Sequence, residues 1–202
     1  MLDVPVIAGV LRKGAAFRPV VEFLKAAGPY PGDALADAPK GLVGAIAGAV
    51  SKPLRVKRLA ALWVKIQALL EAQSIEKPQA PNPKVALPAL AAAADETDEE
   101  LEDLWARLLV ASMNPDRVKR VRLRFVDALE QMDPLDAVLL KWINENSGGR
   151  VDAAARLAAM KDLNLTSDEV ETSFANFAIV GFSEGEELTP FGREFIGVVM
   201  NN

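Results

Sequence analysis

Residues that typically begin helices recur through the second half of the chain and divide it into short segments. A Thr or Asp followed by Pro, or by Glu three positions later, is a typical helix start, because its side chain accepts a hydrogen bond from a free backbone N–H group. Four such starts occur: Thr97 with Glu100, Asp133 with Pro134, Thr166 with Glu169, and Thr189 with Pro190. The sequence therefore predicts an all-α, mainly helical protein whose successive helices are joined by tight turns.

Apolar residues at helical spacing predict how the earlier helices pack. Leucines and Trp63 recur every three or four positions within residues 52–73 and predict one long helix. Similar stripes on either side of Pro115 predict two antiparallel helices, which together form a helical hairpin over residues 97–132. The stripe of the second predicted helix consists of Val118, Val121, Phe125, Leu129 and Met132.

Prolines indicate a boundary before this hairpin. Four of them fall in the eleven positions from Pro78 to Pro88, and they predict an extended, non-helical linker. The chain is accordingly divided into an amino-terminal helical region, a Pro-rich linker with a short helix, and a hairpin followed by a carboxy-terminal module. These parts cover residues 1–75, 76–96 and 97–202.

The carboxy-terminal module has a characteristic order of elements. Three predicted helices are followed by a short hairpin over 182–189, with Gly185 at its tip, and then by a closing helix. Helix, helix, helix, small wing, helix is the order of a winged helix-turn-helix. The sequence therefore predicts a winged-helix-like carboxy-terminal part with at most a small β-hairpin.

The composition removes many kinds of chemistry. The 202 residues include neither cysteine nor histidine, so the chain offers no thiolate nucleophile, no imidazole base and none of the usual zinc, copper or iron ligand sets. Asp133 and Asp136 could share a metal, but their spacing equally fits the N-cap and N3 positions of a helix. We therefore predict a protein that is not an enzyme, with no catalytic residues, no metal, no cofactor and no small-molecule substrate.

Three blocks of sequence suggest a family. They are DEELEDLWARLLVASMNPD (98–116), FVDALEQMDPLDAVLLKWI (125–143) and LTPFGREFI (188–196). In this order the blocks resemble the bacterial Abi-alpha (abortive infection alpha) family. The resemblance implies a role in resistance to phage, through a response that costs the infected cell. It implies no catalytic residues, because the matching positions are leucines, aromatic residues and helix caps.

A dense basic cluster needs a partner. Residues 117–124 carry five cations in a chain of net charge −5, and residues 133–202 contain five basic and twelve acidic residues, a net charge of −7. The cluster could face this acidic part, a second subunit or a phosphate-bearing ligand, and pairing within the protein or between subunits is favoured. In the predicted hairpin the acids of 95–103 lie at the far end, whereas Arg107 adds to the basic end. The candidate anion- or partner-binding residues are Arg107, Arg117, Lys119, Arg120, Arg122 and Arg124.

The predicted recognition helix of the winged-helix-like part argues against DNA binding there. Residues 167–180 contain Asp168, Glu169 and Glu171 but no Lys or Arg, and such a surface repels the phosphate backbone. Protein contact is the favoured use of this module.

A membrane surface is an alternative partner. The apolar stretch GLVGAIAGAV (41–50) is about half of the ~20 residues that span a bilayer, but it contains a GxxxG pair that favours close helix packing. The candidate membrane or self-association residues are Gly44, Gly48, Arg55, Arg58 and Trp63.

These observations lead to one function and two alternatives. The predicted function is non-enzymatic phage defence through protein–protein contacts, with a protein partner or a homo-oligomer. The alternatives are a membrane-perturbing effector that uses 41–73 on anionic lipid, and a nucleic-acid-binding regulator that uses 117–124. The expected location is the cytoplasm, with membrane association possible in the active state.

Overall fold

The computed structural model describes residues 53–79 and 81–200. In these ranges the chain forms helices α1 to α8 and a two-stranded hairpin, so the predicted mainly helical fold class is confirmed. The helices are α1 (Pro53–Ala72), α2 (Pro83–Ala93), α3 (Glu99–Met113), α4 (Leu123–Leu129), α5 (Pro134–Trp142), α6 (Ala153–Leu163), α7 (Ser167–Val180) and α8 (Pro190–Phe195). The strands are β1 (Ser183–Glu184) and β2 (Glu187–Leu188). A 3₁₀ turn covers Val118–Arg120, and π-helical turns extend α5 over Ile143–Ser147 and α8 over Ile196–Met200.

Three of the four predicted helix starts are present. Asp133 and Thr166 each form a capping box with the acidic residue three positions later, and the Thr189 hydroxyl accepts a hydrogen bond from Gly192 N at 3.0 Å. The Thr97 prediction is wrong by one residue. Asp98 is the N-cap of α3, because its carboxylate accepts hydrogen bonds from both Glu100 N and Leu101 N, at 2.9 and 3.1 Å.

Helix α3 lies at the centre of the protein. Ten of its fifteen residues are buried, and it packs against α1, α2, α4, α5 and the π-helical turn after α8. Buried apolar residues form one continuous cluster that extends from Leu59 in α1 to Met200. Residues 108–113 of this helix are all buried, and a helical segment that is buried on every side is stable only when other elements surround it, as they do here.

The proline-rich segment is not extended throughout, which corrects the prediction for residues 76–88. Helix α2 begins at Pro83, where a missing N–H costs nothing, and Asn82 caps it by accepting a hydrogen bond from Lys84 N at 3.0 Å. Pro88 lies inside the helix. The reason is burial: Val85, Ala86, Leu87, Ala89 and Ala93 are buried on helices α3 and α4, which offsets the hydrogen bond that Pro88 cannot make.

The second helix of the predicted hairpin is also different. Residues 118–120 form a 3₁₀ turn, Arg122 is extended, and only α4 is α-helical. A continuous helix would place like charges three or four positions apart, as in Arg120 and Arg124, and such pairs are destabilising. Of the predicted stripe, Phe125, Leu129 and Met132 are buried, whereas Val118 and Val121 are only half-buried.

The carboxy-terminal elements follow the predicted order. Strand β1 pairs antiparallel with β2, with Ser183 opposite Leu188, and Gly185 at the tip has the positive φ of 63° that the turn requires. Arg150 forms an isolated antiparallel bridge with Glu187, which attaches the hairpin to the segment between α5 and α6. The winged-helix assignment itself stays a prediction.

Aromatic rings connect the carboxy-terminal elements to α4. Phe125 contacts the rings of Phe191 and Phe195 on α8, with centroids 5.6 and 5.3 Å apart. Phe182, just before β1, lies 4.7 Å from Phe195 and 6.3 Å from Phe177 on α7. This chain of rings fixes α8 between α4 and the hairpin.

The predicted self-association stretch over 41–50, which contains Gly44 and Gly48, lies outside the described residues. In the described ranges, no helix combines the length and apolarity that a membrane span requires.

Candidate functional site

The basic segment, residues 117–124, lies against α8 and its π-helical extension. Arg122 donates two hydrogen bonds to the Glu194 carboxylate, at 2.7 and 2.8 Å, and the Arg124 guanidinium lies 4.3 Å from the centroid of the Phe191 ring. Arg117 Nη1 donates to the backbone carbonyl of Val198 at 3.2 Å. Three of the five cations therefore have partners within the same molecule.

The remaining two cations, Lys119 and Arg120, are exposed. Arg120 still acts on its neighbours. The pKa of Glu194 lies below its ordinary value, first because of the hydrogen bond from Arg122 and further because of the charges of Arg122 and Arg120. Burial, and then the charge of Arg120, lowers the pKa of Arg117. The segment is thus one electrostatic unit with an exposed end.

Arg107, which was predicted to add to the basic end, is paired with a carboxylate of its own helix. Its Nε donates to Asp103 Oδ2 at 2.9 Å, one turn earlier on α3. The prediction assumed a long second helix antiparallel to α3, and the break after residue 120 removes that geometry.

An ion-pair cluster that the sequence did not reveal joins α3 to α5. Lys141 Nζ lies 2.6 Å from Glu100 Oε2 and 2.9 Å from Asp103 Oδ2. Burial opposes ionisation of Asp103, but hydrogen bonds from Lys141 and Arg107 outweigh it and hold its pKa below the ordinary value. Burial likewise opposes the charge on Lys141, and its hydrogen bonds to Glu100 and Asp103 raise its pKa. The spacing of Glu100, Asp103 and Arg107 on one helix face was visible in the sequence, whereas the partner from α5 was not.

A groove of about 360 Å³ lies between α6, α7 and the hairpin. Ala153, Leu157 and Met160 supply apolar surface, and Glu171 and Glu186 supply carboxylates. Leu157 is 67% exposed, although its place on an apolar helix would suggest a core residue. Arg156 also lines the groove, but it is paired with Glu171 and stacked on the Phe174 ring at 4.5 Å.

The outer face of α7 is acidic. Asp168, Glu169 and Glu171 are exposed, and the helix contains no Lys or Arg. Hydrogen bonds from the backbone and then the side chain of Thr166 hold the pKa of Glu169 below its ordinary value. Over residues 53–79 and 81–200, no cluster of three or more carboxylates is arranged to hold a metal ion.

The model of the family described as Abortive infection alpha matches residues 55–187, well over half of the 202 residues. The chain belongs to this family. The comparisons with curated proteins and with solved structures returned no match.

The Abi-alpha match extends from α1 into β2, so it includes the basic segment, the cluster of Lys141 and the groove. It contains two of the three sequence blocks that carried the resemblance, 98–116 and 125–143, and it ends before the third, 188–196. Membership of this family suggests a role in abortive infection.

The arginines at the start of the Abi-alpha match contact Asp95 in the same protein. Arg55 pairs with the Asp95 carboxylate, and Arg58 Nη1 donates to the Asp95 carbonyl at 3.2 Å. Trp63 is only 9% exposed and belongs to the core. Positive charge is unfavourable at a helix amino terminus, and Asp95 supplies the acidic partner that offsets it.

Proposed function

We propose that this Abi-alpha protein defends bacteria against phage through protein–protein contacts made in the cytoplasm, without catalysing a reaction. Family membership supports the defence role, since the match covers most of the described structure. The response would act at the cost of the infected cell.

The observation that carries the mode of action is the acidic outer face of α7. The helix presents Asp168, Glu169 and Glu171, and the neighbouring hairpin adds exposed Glu184, Glu186 and Glu187. Most non-specific affinity for nucleic acid comes from neutralising phosphates with Lys and Arg, so this face favours protein partners.

The order of elements supports a winged-helix-like module in this role. Helices α5, α6 and α7 precede the hairpin, and the bridge between Arg150 and Glu187 pairs the hairpin with the backbone that precedes α6. In this proposal the module is a contact surface, because a fold does not by itself determine function.

Three carboxylates with lowered pKa values support a non-enzymatic role. Asp103, Glu169 and Glu194 have lowered pKa values because each accepts hydrogen bonds from nearby residues. Such groups are held ionised by partners that also maintain the fold. A catalytic acid or base instead needs a pKa near the working pH.

A second candidate, nucleic-acid binding by the basic segment, is favoured by one observation. Lys119 and Arg120 are exposed beside three further cations. The internal contacts of Arg117, Arg122 and Arg124 count against it, because those three are already engaged with α8 or its extension.

Plaque counts on bacteria that carry the gene test the proposal and separate the candidates. Two variants are compared with the wild type over a broad phage panel: Asp168→Arg with Ala175→Arg on the exposed face of α7, and Lys119→Ser with Arg120→Ser on the basic segment. All four positions are exposed, so circular dichroism should show a retained fold.

We expect the wild type and the basic-segment variant to protect, and the α7 variant to lose protection. Loss in the basic-segment variant alone would favour nucleic acid. A wild type that protects against no phage in the panel would contradict the defence role itself.

A further inference from the structure

We infer that the groove between α6, α7 and the hairpin binds the basic segment of a second copy of this chain, so that the molecules associate head to tail. This inference goes beyond the proposed function, because it concerns the groove and the association of copies rather than the partner of the acidic outer face of α7. The occupant is the stretch that contains Leu123, with its flanking cations.

The lining of the groove suits an apolar side chain that is flanked by cations. Leu157 is 67% exposed and stands beside Met160, so a large apolar side chain on the partner would remove both from water. Glu171 neutralises Arg156, which leaves Glu186 as uncompensated negative charge in the groove lining. Exposed apolar surface with a polar rim is typical of interaction sites.

The basic segment has the complementary chemistry. Leu123 is 46% exposed and stands directly between Arg122 and Arg124. Lys119 and Arg120 extend the positive charge to the exposed end of the segment. The exposed cations Lys119 and Arg120 beside Leu123 thus match Glu186, which lines the groove with Leu157, and such complementarity selects the orientation of a contact.

The net charges of the two parts agree with this pairing. Residues 1–132 carry eighteen basic and sixteen acidic residues, a net charge of +2, whereas residues 133–202 carry −7. Contacts between unlike parts of two copies are therefore favoured over contacts between like parts.

The occupant must come from another molecule, because the segment is fixed on a different element. Arg122 and Arg124 hold it against Glu194 and Phe191 of α8, whereas the groove is formed by α6, α7 and the hairpin. Since the basic segment and the groove are different surfaces, the interface is heterologous. Each copy can bind one neighbour on either side, which produces a closed ring or an open chain.

Two complementary variants of the full chain test the inference by sedimentation velocity. Leu157→Asp disrupts the groove and leaves the basic segment intact, whereas Leu123→Asp disrupts the basic segment and leaves the groove intact. Val64→Asp is the matched control, because Val64 is 66% exposed on α1 and does not line the groove. Circular dichroism verifies that all three variants fold.

We expect the wild type and Val64→Asp to associate as concentration rises, and association to weaken in high salt. Leu157→Asp and Leu123→Asp should each remain monomeric. Their equimolar mixture should form a 1:1 dimer and nothing larger, because Leu157→Asp keeps an intact basic segment and Leu123→Asp keeps an intact groove.

Three results would overturn the inference: a wild type that stays monomeric at the highest concentration, association that survives in both leucine variants, or a mixture without dimers. Sedimentation of purified protein involves no phage, so this interface can fail while plaque counts still show protection. Conversely, a wild type that associates as expected but protects against no phage would remove the proposed function alone.

Discussion

Arg122 and Glu194, 72 positions apart in the sequence, are joined by two hydrogen bonds, from Nε to Oε2 at 2.7 Å and from Nη2 to Oε1 at 2.8 Å. The pair fixes the basic segment to α8. It accounts for part of a dense cationic run in a chain whose net charge is −5, because one arginine of that run is paired with a carboxylate of the same molecule. The segment therefore belongs to the fold before it serves any partner.

The first prediction concerns this pair. We expect Arg122→Ser to lower the free energy of unfolding only slightly, because the two side chains are 59% and 28% exposed and water screens their attraction. In a double-mutant cycle with Glu194→Gln, followed by urea unfolding, the coupling should be favourable at low salt and shrink as salt is added. A coupling that salt leaves unchanged would contradict this account.

The second prediction is a pH dependence from Asp103, whose side chain is 23% exposed. The pKa of Asp103 is lowered in the folded state. Its contribution to the free energy of unfolding is therefore complete above the unfolded-state pKa of about 3.9 and is lost as the pH falls through the folded-state pKa. Asp103→Asn should cost about 1.5–3 kcal/mol at neutral pH, the range for hydrogen bonds to charged groups. The cost should disappear in strong acid.

Lys141 determines the alkaline part of the same dependence of stability on pH. Its raised pKa means that its contribution is complete below the unfolded value of about 10.4 and is lost as pH rises through the folded value. Urea unfolding of the wild type and of Asp103→Asn from acid to alkaline pH measures both limbs. An acid limb equally steep in the variant would show that other carboxylates are responsible.

The third prediction concerns the close approach of α8 to the hairpin. A Cβ atom added at Gly192 would overlap the carbonyl oxygen of Phe182, which also accepts a hydrogen bond from Thr189 N at 2.8 Å. Backbone cannot move aside as a flexible side chain can. We expect Gly192→Ala to destabilise by at least about 1–3 kcal/mol, the usual range for overpacking.

Gly197→Ala is the matched control for this substitution, because nothing lies within 4 Å of a Cβ atom built there. It should leave the free energy of unfolding unchanged or raise it by up to about 1 kcal/mol through helix propensity. Thermal and urea unfolding compare the two variants. Equal stability of both would mean that α8 does not approach Phe182 as closely as described.

Local signals were readable from the sequence, and long-range ones were not. The caps at Asp133, Thr166 and Thr189 depend on residues within three positions, so their patterns sufficed. Helix α2 continues through Pro88 because other helices bury its apolar face, and that burial has no local sequence signal.

The candidate site shows the same division. The five cations of 117–124 were obvious, but the partners of three of them, on α8 and its extension, are more than sixty positions away, and so the sequence could not assign these partners. The Lys141 cluster was missed because its members come from α3 and α5. Leu157 was missed because an exposed leucine looks like a core leucine in sequence.

The fourth prediction tests the ring cluster. Phe182 is fully buried and touches rings on α7 and α8, so Phe182→Ala should cost about 3–5 kcal/mol, the usual range for a buried aromatic residue. Phe182→Leu, which fills more of the space, should cost distinctly less. If chemical denaturation showed equal losses, the packing of the rings would not be the source of stability.

The last prediction determines how many cations of the basic segment can reach nucleic acid. Each phosphate neutralised on duplex DNA contributes about 0.9 to the slope of log K against log salt. If only Lys119 and Arg120 are available, the slope of the Lys119→Ser, Arg120→Ser variant should be shallower than that of the wild type by about 1.8. Because this is a difference between variants, cations elsewhere in the chain cancel. Fluorescence anisotropy with a labelled duplex supplies the slopes.

Further changes of Arg117, Arg122 and Arg124 to Ser should alter the slope little, since their guanidinium groups are engaged with Val198, Glu194 and Phe191. A further decrease of about 2.7 would mean that the segment leaves α8 and binds phosphate with all five cations. The contacts with α8 would then be a resting state of a nucleic-acid-binding protein.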